Sequence, residues 1–429
     1  MALLEFENEE YLLSEDVHHD TRFCLLSTVG SGTQVHSARF SFGARGMSDI
    51  DNRLFEMSPE DISLLNPNTN TIALFRSRRD AHIALGIYRR VRILWTDYPR
   101  SNPWDLSFMQ GLFNMATHSG LFRTQKLLER DGWKLEDGIF IRRDERMLPL
   151  YEAKMVHLFD HRFGTYEGQT QAQSNVGILP RTSPQQKADP RYRALPRYWV
   201  RKEEVADKVA ERWDKGWFLG WRDITNLSNE RTIICASIPK TAVGDKFLLA
   251  LPPARGHLLQ ANLSTFVLDY CARQKISGKS FKYFLLKQLP VLAPQQYETC
   301  APWFTDVVLE DWITSRVLEL TFTAWDIASF ARDLGDSGSP FVWDEERRFA
   351  MRAELDAAYF HLYGVGRDDV GYIMDSFGAF QRNDFERFAR TKALILDVYD
   401  AMARAVERGE PYKTILDPPP GEGPRHPDR

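Results

Sequence analysis

WRDITNLSNERTIICASIP, residues Trp221 to Pro239, sets a cluster of polar side chains directly against an apolar run. Arg222, Asp223, Asn226, Asn229, Glu230, Arg231 and Thr232 fall within eleven positions, and Ile233 to Ile238 follow without a break. Arginine and asparagine are the residue types that hydrogen-bond base edges and phosphates. The apolar run reads as a buried strand. The stretch therefore predicts a polar loop mounted on a core strand within a mixed α/β (α+β) chain.

Working downstream, Lys246 to Leu251 predicts a second short strand, and Gly256 to Lys275 a helix with Leu259, Leu263, Phe266, Val267 and Tyr270 on its apolar face. The end of that helix delivers Arg273 and Lys275 into Gly278-Lys279-Ser280, Lys282 and Lys287. Five basic residues between Arg273 and Lys287, interleaved with Phe281, Tyr283 and Phe284, have the composition of a phosphate-contacting rim. The GKS triplet lacks the upstream glycine of a nucleotide-binding P-loop and follows a helix, so that reading fails. Beyond Trp303 the pattern is helical. Met351, Leu355, Ala358, Tyr359 and Leu362 share a face of Glu345–Tyr363; Phe385, Phe388, Ile395, Val398, Met402 and Val406 do the same in Asp384–Arg408. The tail, DPPPGEGPRHPDR, has a disordered composition.

Upstream, Trp199–Trp213 predicts a helix with Val205 and Val209 inward, and the proline-rich, polar stretch Gln169–Arg197 a mobile excursion. Glu152 and Lys154, with Asp137, imitate the carboxylate and lysine spacing of metal-dependent nucleases. Asp160-His161-Arg162 reads as a hydrogen-bonded cluster positioning Arg162. Asn102-Pro103-Trp104 has only one proline of the Asn-Pro-Pro-aromatic clamp that holds a flipped amino base, and is structural. Asp80–Val91 is helical, with Arg76, Arg78 and Arg79 at its entrance; Ser58-Pro59-Glu60-Asp61 starts another helix. Arg22–Thr28 and Val35–Phe42 predict a hairpin around Gly30-Ser31-Gly32, which needs a sheet to join.

With 429 residues, more than one domain is expected. A net charge of -4 excludes a uniformly basic coat but leaves room for a local basic surface. Cys24, Cys235, Cys271 and Cys300 form no CxxC pair and read as reduced residues of a cytosolic protein. The acidic start MALLEFENEEYLL is unlike a signal peptide, and no apolar run reaches membrane-spanning length, so a cytoplasmic location is expected.

Five stretches together resemble the C-terminal half of large bacterial adenine-specific DNA methyltransferases of the type IIG restriction-modification kind, including those of the BREX and DISARM phage-defence systems. They are LYEAKMVHLFDHRFGTY, the opening stretch, LLQANLSTFVLDYCARQKISGKSFKYFLLKQLPVL, LDAAYFHLYGVGRDDVGYIMDSF and RTKALILDVYDAM. The resemblance implies terminal strands of a methyltransferase sheet in 1–60, a helical connector in 61–145, a target-recognition domain in 146–298, a helical domain in 299–413 and the tail in 414–429. In that family a catalytic domain binds S-adenosylmethionine and carries the clamp; neither the clamp nor a cofactor loop of that kind stands in this sequence, so S-adenosylmethionine is expected in a catalytic partner. Double-stranded DNA and that methyltransferase chain are the expected partners.

On this reading Arg222, Asn226, Asn229 and Arg231 read bases, while Lys154, Arg162, Arg273, Lys275, Lys279 and Lys282 contact phosphates. A competing account has Asp223, Glu230 and Arg231 as an internal ion network shaping the loop. Two other functions stay open: an autonomous metal nuclease using Asp137, Glu152 and Lys154, and a structural subunit binding protein through its C-terminal helices.

Overall fold

The computed structural model describes residues 1–226, 228–276 and 278–428. The chain is a mixed α/β fold. At the N-terminus, strands β1 (Ala2–Glu7), β2 (Arg22–Ser27), β3 (Ala38–Ala44) and β4 (Phe55–Met57) form a sheet in the order β2-β1-β3-β4. This corrects the predicted hairpin. The segments expected to pair with each other are separated by β1, antiparallel to β2 and parallel to β3. Phe6 supplies the reason: it is buried and stacks on Phe23 at 5.2 Å. Buried Asn8 then closes the return, donating from Nδ2 to the Val17 carbonyl at 2.9 Å and accepting from the Leu13 amide at 2.8 Å.

Helix α1 (Pro59–Leu65) opens with the predicted cap, the Asp61 amide donating to Ser58 Oγ at 3.1 Å and Asp61 Oδ2 accepting from the Ser58 amide at 3.2 Å. Helix α2 (Arg78–Arg90) buries Ile83 and Ile87 as its spacing requires. The remaining strands of the two larger sheets are β5 (Ser107–Met109), β6 (Lys134–Glu136), β7 (Ile139–Arg142), β8 (Glu145–Tyr151), β9 (Trp199–Arg201), β10 (Trp217–Arg222), β11 (Cys235–Pro239), β12 (Ala242–Val243) and β13 (Phe247–Leu251).

A central antiparallel sheet runs β11-β10-β13-β5. Both faces of β13 are buried, which explains its unbroken apolar sequence. Gly220 sits at the centre of β10, where an added Cβ would meet the Phe247 ring and the Leu248 carbonyl. The other sheet, β12-β8-β7-β6 with β9 paired to β8, encloses a small core of Leu128, Trp133, Phe140, Met147 and Trp199. The helix predicted from Trp199 starts later, as α3 (Lys202–Val209), because Trp199–Arg201 pairs with β8.

The single helix expected over Gly256–Lys275 is two, α4 (Gly256–Leu263) and α5 (Phe266–Arg273). Ser264 and Thr265 break it: their hydroxyls donate to the carbonyls of Gln260 and Asn262. The C-terminal region is built from α6 (Leu309–Thr321), α7 (Glu345–Leu362), α8 (Phe385–Arg408) and shorter helices. One contiguous cluster of buried apolar residues extends from Phe40 to Tyr412, so the expected segments share a core.

The tail corrects its compositional reading. Its residues lie against α6 and α7: Gly421 donates its amide to Glu319 Oε2 at 2.8 Å, and Arg347 donates to the Pro419 carbonyl at 3.1 Å. Arg425 pairs with Asp336, and Val342 donates to the Pro424 carbonyl at 2.8 Å. Side chains of the preceding helices satisfy the backbone that proline leaves unable to form a helix.

Candidate nucleic-acid interface

The polar cluster of the opening stretch emerges from β10 and returns to the core before β11. Its base is laced to the basic segment: Ile224 bridges Ser280, the Thr225 amide donates to the Lys279 carbonyl at 3.0 Å, and the Phe281 amide to the Asp223 carbonyl at 2.7 Å. Asp223, fully buried, pairs with Lys282 at 2.6 Å and faces Lys246 at 3.6 Å. A buried carboxylate thus ties two lysine-bearing segments together. Lys279 itself is exposed, and its ammonium has no partner among the described residues.

Beneath the loop lies an ionic anchor. Asp269 accepts from Arg231 Nε at 2.9 Å and from the Thr232 amide, while Arg273 Nε stands 3.6 Å away. Arg273 also donates to the carbonyls of Asn229 and Glu230, both at 2.9 Å. Glu230 is clamped from the far side by Arg387 of α8. The internal network therefore exists, though Asp223, Glu230 and Arg231 each pair with a different partner.

Several expected DNA contacts are corrected by this geometry. Arg231 and Arg273 face inward, spent on Asp269 and on loop carbonyls. Arg162, with no exposed surface, donates to the carbonyls of Asp189, Tyr192, Lys187 and Thr323. Those bonds, with the buried Lys187–Asp160 pair, pin the stretch expected to be a mobile excursion. Lys275 Nζ donates to the Leu65 carbonyl at 2.7 Å and to Asn66, and burial brings its pKa down to about 7. Arg222 is held on the Val156 carbonyl, and burial lowers it to about 10. Five of the ten candidates thus serve the interior.

The others remain near the surface. Asn226 and Asn229 are half-exposed within a turn, Asn226 Oδ1 accepting the Ser228 amide at 2.8 Å and Asn229 Nδ2 reaching Thr225 Oγ1 at 3.4 Å. Lys282 is a quarter exposed beside Asp223. Lys154 lies 3.6 Å from Glu152, over the Tyr166 ring. Glu152 also accepts from the Tyr166 hydroxyl at 2.5 Å. Asp137 sits exposed in the turn between β6 and β7. Among the described residues, the one group of three potential metal ligands is the exposed His18-His19-Asp20, so no such group unites Asp137 with Glu152.

Comparison with protein-family models, with curated proteins and with solved structures finds no match for this chain.

Other features of this surface escaped sequence reasoning. Trp95, Phe108 and Tyr283 stack in a ladder, with ring centroids 5.8 and 6.1 Å apart. Lys287 lies over Trp95 at 4.3 Å and Arg100 at 5.8 Å. Phe284 beside it is half exposed. Stacked rings capped by cations suit exposed bases as well as phosphates. On the other side of the loop, Ser228 borders a cleft of about 350 Å³ lined by Arg76, Arg273 and Arg382. Phe108 comes from β5, far from Tyr283 in sequence, so only the sheet brings them together. Of the arginines Arg76, Arg78 and Arg79 only Arg76 lines the cleft, Arg79 pairing with Asp369 and Arg78 reaching the Leu54 carbonyl.

Proposed function

We propose that this chain is the DNA-specificity portion of an adenine-specific DNA methylation system serving restriction-modification or phage defence. It docks on double-stranded DNA and presents a target adenine to a catalytic methyltransferase chain, which binds S-adenosylmethionine. The observation that carries the reading is the lacing of residues 223–225 to 279–281, which holds Asn226, Asn229, Lys246, Lys279 and Lys282 on adjoining loops above the ionic anchor. Base-reading side chains flanked by phosphate-reaching lysines are what a recognition loop requires. The buried arginines, in this account, position the loop and do not touch DNA.

A place for the catalytic partner is also available. Strand β2 is an edge strand with Leu25 and Leu26 exposed at 54% and 63%, and an apolar groove of about 410 Å³ runs beside it between Met1, Leu3, Leu26 and Val35. Unpaired edges of this kind accept a further strand.

Fluorescence anisotropy of a labelled duplex, titrated at several salt concentrations, tests the DNA surface. Lys246→Glu and Lys279→Glu should each weaken binding and flatten the salt dependence by roughly one unit of slope per lost phosphate contact. Wild-type affinity and slope in both variants would remove the assignment.

A further inference from the structure

A cavity of about 550 Å³ lies behind the recognition loop, between the chain that follows β8 and helices α7 and α8. One wall is the helix α7 stripe Arg348, Arg352 and Asp356, four residues apart and therefore aligned on one face. The lining also includes His157 and Phe163, stacked at 4.6 Å, with Arg181 over the Phe163 ring at 5.0 Å. Phe349 and Trp343 add further aromatic faces. This volume lies within the range of small-molecule sites, and such sites combine apolar and aromatic walls with a few convergent polar groups.

Arg352 is the unexplained group. Its guanidinium always carries charge and is only partly buried, yet it makes no hydrogen bond and no ion pair among the described residues. Glu345 and Asp356 act on it only through space. Apart from exposed Arg181, which lies over the Phe163 ring, the other charges around the cavity are committed elsewhere, Glu345 accepting from Trp343 Nε1 at 2.8 Å. Asp160 is held by Lys187, and Glu230 and Asp384 by Arg387. Arg231 is held by Asp269. Arg348 donates to the carbonyls of Leu320 and Phe159. Asp356 receives the Phe266 amide at 2.7 Å on one oxygen, capping α5. A guanidinium that lines a cavity with its donors uncommitted is free to meet an anionic ligand there.

We infer that this cavity binds a nucleoside monophosphate-like small molecule, its phosphate on Arg352 and its planar ring against the His157–Phe163 wall. The guanidinium fork matches phosphate oxygens two at a time. His157 makes no side-chain hydrogen bond among the described residues, and burial holds it neutral, so one ring nitrogen donates and the other accepts toward a base edge. Asp356, raised to about 6 by burial, offers its second oxygen in either protonation state. The site is independent of the DNA proposal, although Glu230 and Arg231 belong to both the loop and the cavity wall.

Isothermal titration calorimetry and thermal melting of the full chain with AMP, GMP, CMP and UMP test the inference, with adenosine and inorganic phosphate as half-ligands. At least one monophosphate should bind and raise the melting temperature, and its nucleoside and phosphate alone should each bind at least about ten-fold more weakly. Arg352→Met should lose that binding about ten-fold or more while melting close to wild type without nucleotide, because the variant breaks no hydrogen bond or ion pair among the described residues. Lys279→Glu should bind the nucleotide as wild type does, which separates this site from the DNA surface. The inference is overturned if no monophosphate binds at millimolar concentration. It is equally overturned if Arg352→Met binds as well as wild type, or if adenosine alone binds as tightly as AMP.

Discussion

Replacing Lys275 by Met discriminates sharply between a lysine that touches DNA and one that serves the interior. In the structure its ammonium meets the Leu65 carbonyl and Asn66 beneath the Tyr88 ring, and burial lowers its pKa from 10.5 to about 7. Between those values the unfolded chain holds a proton that the folded chain releases, so folding stability rises with pH across that window. Below about pH 7 the full penalty of burying the charge is present, and above about pH 10 it is relieved. Each pH unit inside the window is worth up to about 1.4 kcal/mol. Against this, Lys275→Met leaves two acceptors unsatisfied, at roughly 1–3 kcal/mol each. The two effects largely offset near neutrality, so the diagnostic quantity is the slope. Relative to Lys275→Met, wild type should gain roughly 2 kcal/mol between about pH 7 and about pH 9. Urea unfolding of both proteins across that range measures it, and duplex binding should be unchanged in the variant. A flat difference with pH, or a loss of DNA affinity with reduced salt slope, would refute the burial argument and return Lys275 to the phosphate rim.

Two further outcomes follow from the anchors. Deleting the chain after Lys413 removes the Thr414 hydroxyl and the Ile415 amide from buried Glu354, at 2.6 and 3.2 Å, and should cost roughly 3 kcal/mol or more in urea unfolding; a disordered tail predicts no change. Asp269→Asn leaves Arg231 and Arg273 without their carboxylate and should cost about 3–5 kcal/mol. It should also speed hydrogen exchange at residues 228–232, and unaltered exchange would separate the anchor from the loop.

Local chemistry was legible wherever a residue's partner lies close in sequence. The Ser58 cap, the buried face of α2, strands β11 and β13, and Phe388, Ile395, Val398 and Met402 of α8 all rest on neighbours a few positions apart, whereas Phe385 and Val406, expected on the same face of α8, are exposed. Destinations of charged side chains were not legible. Arg162 reaches the Thr323 carbonyl and Lys275 the Leu65 carbonyl, and nothing near either residue announces a carbonyl waiting across the fold. Basic residues near aromatics read equally well as a phosphate rim or as internal clamps until tertiary contacts are known. Helix α7 shows the same limit: its apolar stripe was readable, whereas nothing in the sequence marks Arg348, Arg352 and Asp356 as lining a cavity. Strand β1 was not legible because Glu5 and Glu7 interrupt its short apolar run, and its partners β2 and β3 lie further along the chain. Among the described residues no helix is long and apolar enough to cross a membrane.

The central claim, that this chain reads DNA sequence through the loop above Asp269, is tested most directly by selecting binders from a pool of random duplexes. The account predicts enrichment of one short motif containing adenine, with Asn226→Ala or Asn229→Ala relaxing preference at a single base pair by about 1–3 kcal/mol. Recovery of duplexes without any sequence preference, or an unchanged motif in both variants, would contradict it.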